Sequence, residues 1–129
     1  MVAGNVVTEK DGVPVLYEGC KRGFGVRVVH PQNRKAPSEN LSVTLLYLAP
    51  GGVLDPHDHE NEEVYVILEG EGEGSFGLGE PIAVEKGMFV HLPPHAEHGL
   101  KNTGKKMMLV MIATSPVLPA FPEWVAASH

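Results

Sequence analysis

The chain has 129 residues, 43% of them hydrophobic and 20% charged, with a net charge of −6. That length suits one domain with its own core rather than two, and the composition is that of a globular protein, not a disordered one. No run of Lys and Arg exceeds two residues, which argues against a nucleic-acid partner, because phosphate binding relies on clustered basic charge. The single cysteine, Cys20, excludes an intrachain disulfide. No apolar run approaches the ~20 residues that cross a bilayer, and Met1 to Asn5 lacks the basic and apolar regions of a signal peptide. The expected location is the cytoplasm, with no membrane partner.

Glycine (15) and proline (11) are both frequent and follow no fixed period, as expected of short strands joined by tight turns. In chain order, Val6-Val7 and Val13 to Leu16 read as a leading hairpin turned at Asp11-Gly12. Gly25 to Val29 reads as a strand, followed by a polar loop from His30 to Asn40 in which His30 is expected to be solvated. Leu41 to Ala49 is the next strand, apolar on both faces towards its end, and Pro50-Gly51-Gly52 turns the chain out of it. The alternating glycines of Gly70 to Gly77 suggest a tight bend or close backbone approach. They do not form a phosphate-cradling loop, since no helix and no Lys-Ser/Thr follow. Pro81 to Val84, Met88 to Leu92 and Met107 to Ala113 complete the strands, and Met88, Met107, Met108 and Met111 are expected to pack inside. Beyond them lies a Pro-rich tail, in which Trp124 and Val125 are expected to pack on the body or on a second subunit and Glu123 to Ala127 to form at most one helical turn. Ten or so strands without helical periodicity indicate an all-β sandwich or barrel.

The chemistry concentrates between Gly51 and Gly70. His57 and His59 stand one residue apart, and Glu63 follows four residues later. On an extended segment the two histidines point to one face, because strand side chains alternate. Neutral imidazole and carboxylate suit a divalent transition metal. Val64 to Leu68 then reads as a strand, and parity places Tyr65 on the face of Glu63. Asp55, Asp58, Glu60 and Glu62 are expected to face solvent around the ligands. The further ligand is His98, presented after the stiff Pro93-Pro94 loop at the start of a new strand. A hairpin between Gly70 and Gly87 would lay the two histidine segments side by side. Three neutral nitrogens and one carboxylate around a divalent ion leave a net charge of about +1 and open positions for water or substrate.

These residues resemble the two sequence motifs of a small single-domain cupin. The first motif is Gly, five residues, His-x-His, three or four residues, Glu, six residues, Gly, and Gly51, His57, His59, Glu63 and Gly70 follow it without departure. The second is Gly, five residues, Pro-x-Gly, two residues, His, three residues, Asn. Gly87, Pro93, His98 and Asn102 match, while His95 replaces the middle glycine. That glycine serves a turn of positive φ, which histidine tolerates better than most residues. The resemblance implies an all-β, double-stranded β-helix (jelly-roll) barrel of the RmlC-like kind. It implies one domain over residues 1–129, with core motifs at 51–70 and 87–102 and an extended tail at 114–129.

The resemblance also implies a metal (Fe, Mn, Ni, Zn or Cu) on His57, His59, Glu63 and His98, a small-molecule substrate or ligand, and a homodimer. The family includes dioxygenases, decarboxylases, isomerases and lyases, but also non-catalytic sugar-binding and storage proteins. Two readings therefore stand: a metal-dependent enzyme on a small oxygenated molecule, and a metal-containing binding module. Tyr65, His91 and His95 are the candidate proton-transfer residues for the first. His91 shares a strand face with Phe89, and parity alone does not say whether that face is interior.

Overall fold

The computed structural model describes residues 1–117; the expectations for Glu123 to Ala127, Trp124 and Val125 lie outside the described residues. The described elements are nine strands and one 3-10 turn: β1 (Val13–Val15), β2 (Cys20–Val29), β3 (Ser42–His57), β4 (Glu62–Glu69), β5 (Glu71–Ser75), β6 (Ile82–Glu85), β7 (Phe89–Leu92), β8 (His98–Asn102) and β9 (Met108–Ser115). Every pairing is antiparallel, in the order β6-β5-β8-β3-β9-β4-β7, with β2 joining β3 and β1 joining β2. The sheet curls into the jelly-roll barrel expected of the sequence.

β3 makes the curl. Residues 42–48 pair with β9, and residues 53–57 pair with β8. The turn expected at Pro50-Gly51-Gly52 is instead a bend within one long strand. Gly51 adopts φ 81°, open to glycine at little cost. A Cβ on Gly52 would lie 2.7 Å from the Arg22 carbonyl oxygen, so β2 can cross at the bend only over a glycine. The Gly70–Gly77 stretch shows the expected close approach: a Cβ on Gly72 would lie 2.2 Å from the Lys101 carbonyl oxygen across the β5–β8 ladder.

Alternation along the strands separates an apolar floor from a polar end. Leu46 and Leu48 of β3, Tyr65 and Ile67 of β4, and Met108 and Val110 of β9 are buried in one cluster. Each fully buried aliphatic side chain contributes about 1.5–3 kcal/mol relative to exposure. On the same inner face, towards the other end, stand buried Ser42, Thr44, Glu63 and Thr114. The registers Ser42↔Thr114 and Glu63↔Thr114 put three of them at one level. Polar groups are buried there against the general trend, which marks that end as the place for a site.

Four expectations are corrected. Val6-Val7 forms no strand; a 3-10 turn at Glu9–Asp11 replaces the hairpin, closed by a capping box in which Thr8 and Asp11 satisfy each other's neighbourhood. The residues after it pair with β2 instead. His30 is not solvated: its ring is buried and its Nδ1 accepts the Gln32 backbone N–H at 3.0 Å. Met88 and Met107 are exposed, whereas Met108 is fully buried, because neither is at an inward position of a strand.

Candidate metal centre

β3 delivers His57 at its last residue, and β8 delivers His98 at its first, directly opposite in the ladder. The loop between β3 and β4 carries His59, and β4 turns Glu63 inward one pair from its start. A backbone bond from the His95 N–H to the His59 carbonyl, 2.7 Å, ties the Pro93-Pro94 loop to the histidine loop. The sequence places four separated residues in one spot through these constraints.

The three imidazole rings face one another, with centroids 4.2 Å apart for His57 and His98, 4.7 Å for His59 and His98 and 5.8 Å for His57 and His59. Each has its Nδ1 on a backbone carbonyl two residues away: His57 on Asp55 at 2.8 Å, His59 on Asn61 at 3.0 Å, His98 on Ala96 at 2.8 Å. A carbonyl only accepts, so each Nδ1 must hold a hydrogen, and a neutral ring then carries its lone pair on Nε2. One potential ligand atom from each histidine lies within 4.8 Å of the other two. Glu63 lies beside this group of three: its Oε1 contacts His59 Nε2 and stands 3.7 Å from His98 Nε2. Asp55, Asp58, Glu60 and Glu62 are exposed, as expected.

A family model described as "Cupin domain" matches residues 44–114, more than half the chain and the whole of this site. The chain belongs to the cupin family. Auxin-binding protein 1 of Arabidopsis thaliana is 32% identical over 98 residues, a match spanning 67% of this chain and 49% of that relative. Two solved structures share the fold. The polyketide cyclase RemF of Streptomyces resistomycificus has a TM-score of 0.74 at 18% identity, covering 92% of this chain and 88% of that one. A predicted oxalate decarboxylase of Thermotoga maritima has a TM-score of 0.73 at 20% identity, covering 87% and 99%.

In this cupin the three residues proposed for proton transfer part company. Tyr65 is 1% exposed, with its ring edge-on to His98 at 5.9 Å between centroids. Burial, and then the negative charge of Glu63, push its phenol well above the usual range, so it keeps its proton. His91 is corrected: it pairs with outward-facing Val64, lies exposed, and meets Glu62 at 2.5 Å on the outer surface. His95 has φ 68° and an exposed ring; the expected positive-φ turn is present, but the imidazole is not part of the ring cluster.

The electrostatics of the cluster differ ring by ring. Burial presses His59 towards neutrality, yet the hydrogen bond and charge of Glu63 outweigh it and raise the pKa overall. Burial lowers that of His98.

The sequence motifs missed Tyr17, Arg27 and Thr44. Tyr17 is buried, its phenol pushed up to about 12 chiefly by burial, with Thr44 and Arg27 as hydrogen-bond partners. Only the β2–β3 register could have revealed them.

Proposed function

We propose that this cupin is a metal-dependent enzyme acting on a small oxygenated molecule, with His57, His59, His98 and Glu63 as the ligands. The observation that carries this reading is the shared ring orientation: three Nδ1 atoms committed to backbone carbonyls, so that each ring, when neutral, turns an Nε2 lone pair towards one point beside a buried carboxylate. The donor set of neutral nitrogens and one carboxylate fits Fe, Mn, Ni, Zn or Cu. These residues would hold a divalent ion, whose Lewis acidity would polarise a carbonyl or activate an oxygen ligand. Tyr65, keeping its proton beside His98, would serve as a hydrogen-bond donor to an oxygen of a small molecule in the site. The inner wall around it excludes bulk water, which strengthens both effects.

A second reading, a non-catalytic module that holds a metal and a small ligand, is favoured by the relative whose name says that it binds auxin. A homodimer belongs to the proposal, since the sheet order leaves β6 and β7 at its edges and open edges favour self-association.

Metal content by plasma mass spectrometry, on wild type beside His98→Ala and Glu63→Ala, is the deciding experiment. Near one metal per chain in wild type, lost in both variants, is expected. Metal in the variants at the wild-type level would sink the ligand assignment. Metal-loaded wild type without metal-dependent turnover across keto acids, aldoses and dioxygen-consuming assays favours the binding module.

A further inference from the structure

Asn61 stands between two elements, in the turn that joins β3 to β4, and is 3% exposed. Its backbone carbonyl accepts the His59 Nδ1–H at 3.0 Å, so the place of that carbonyl decides where the ring points. The other two rings lean on carbonyls that the backbone already fixes. Asp55 lies in β3 with its N–H on the Gly19 carbonyl at 2.8 Å, and the Ala96 N–H is bonded to the Pro93 carbonyl at 3.0 Å. Asn61 is fastened through its side chain: Nδ2 donates to the Pro116 carbonyl at 2.7 Å, from 55 residues away in sequence. Pro116 is a firm anchor, because Ser115 before it pairs with Glu62 and its hydroxyl donates to the Asn40 carbonyl at 2.9 Å. The His59 carbonyl is held separately, by the His95 N–H at 2.7 Å. The turn is thus pinned at two points, by main chain at His59 and by side chain at Asn61.

The net contribution of this amide to stability is small. Its Oδ1 is buried and has no hydrogen-bond partner among the described residues, which offsets the bond made by Nδ2. Pro116 is exposed, so water can serve its carbonyl once the amide is gone. What the amide fixes is a position. A ring held through one nitrogen has one orientation, and an ion bound by the other nitrogen depends on it. We propose that Asn61 is a positioning residue of the metal centre: it clamps the turn before β4 to the end of β9 and so aims His59 Nε2 at the point it shares with His57 and His98. This rests on the reading of His59 as a ligand, and it brings β9, which supplies no proposed ligand, into the support of the site.

The test measures the zinc affinity of the full chain by competition with a chromophoric chelator, for wild type, Asn61→Ala, Asn61→Leu and Asn102→Ala. Asn61→Leu keeps the volume without the hydrogen bond, which guards against a folding failure of the alanine variant. Asn102 closes the β8–β9 turn through its own hydrogen bonds, so its loss lowers stability without touching the His59 turn. Both Asn61 variants should bind zinc about 10–100-fold more weakly than wild type, while Asn102→Ala stays within about threefold. A second readout needs no metal: the ring-nitrogen NMR shifts of the histidines at alkaline pH, where the rings are neutral. In wild type His59 should carry its proton on Nδ1, and both Asn61 variants should show mixed tautomers at His59 alone. Wild-type zinc affinity in both Asn61 variants, or an equal loss in Asn102→Ala, overturns the inference. So does a His59 tautomer unchanged in both Asn61 variants. Failure of the metal reading shows separately, as no zinc uptake by wild type, while the His59 tautomer still decides Asn61.

Discussion

His30 sits in the loop between β2 and β3, yet its ring is buried and its Nδ1 accepts a backbone N–H from Gln32. An accepting Nδ1 cannot be protonated without breaking that bond. Burial, with Arg27 nearby, lowers its pKa from 6.5 to about 4. The sign follows from proton counting. Above pH 6.5 both folded and unfolded states are neutral and the group adds no pH dependence. Between about 6.5 and 4 the unfolded chain takes up a proton that the folded one refuses, so stability falls as pH falls, by at most about 3 kcal/mol. Urea unfolding at pH 7, 5.5 and 4 should show this slope in wild type and a flatter one in His30→Gln; parallel slopes would refute the assignment. His95 supplies a second residue-scale prediction. At φ 68° it stores strain that glycine avoids. His95→Gly should stabilise by about 0.5–1 kcal/mol after its greater unfolded-state entropy is subtracted, whereas His95→Val should destabilise. Equal urea midpoints for the Gly and Val variants would contradict the strain.

The β8–β9 turn depends on one side chain. Asn102 is 1% exposed; its Nδ2 donates to the Leu48 and Lys106 carbonyls at 2.8 Å each, and its Oδ1 accepts the Gly104 N–H at 2.9 Å. It thus closes the turn and fastens it to the middle of β3. Asn102→Ala would leave the Leu48 carbonyl buried and unmatched, at a cost of roughly 2–4 kcal/mol. The variant should lose that much in urea unfolding, and a loss below 1 kcal/mol would show the turn to be held otherwise. This asparagine was visible in the sequence as a motif position, as were the four proposed ligands, because fixed spacings mark chemistry that local geometry demands. Orientation was less legible. Parity paired His91 with Phe89 correctly but could not say which face was inside; that follows from the Val64↔His91 register, a long-range fact. Arg27 and Tyr17 were hidden for the same reason. The long β3 was cut short because Pro50-Gly51-Gly52 has turn composition, and only the crossing of β2 over Gly52 shows why glycine stands inside a strand.

At the scale of the molecule, the barrel brings the proposed ligands from β3, the following loop, β4 and β8. His57, His59 and Glu63 follow one another along the chain, and His98 stands opposite His57 in the β3–β8 ladder, so an ion bound there would tie the histidine loop and three strands together. Binding to the folded state alone stabilises by RT ln(1 + [L]/Kd), about 4 kcal/mol at a thousandfold excess over Kd. For a domain of this size that corresponds to a rise in Tm on the order of 10 °C. Stripping wild type with a chelator should therefore lower Tm by about that amount, and readdition of the native ion should restore it. Glu63→Gln keeps the volume and removes the charged donor, so its Tm should respond to chelator by less than half as much. The comparison separates a site that organises the fold from a surface that merely attracts cations. The surface carries a net charge of −6, and weak exterior binding would stabilise both proteins alike and vanish in 0.5 M salt. A chelator response equal in the two proteins, or abolished by salt, would remove the metal from the account of this barrel's stability.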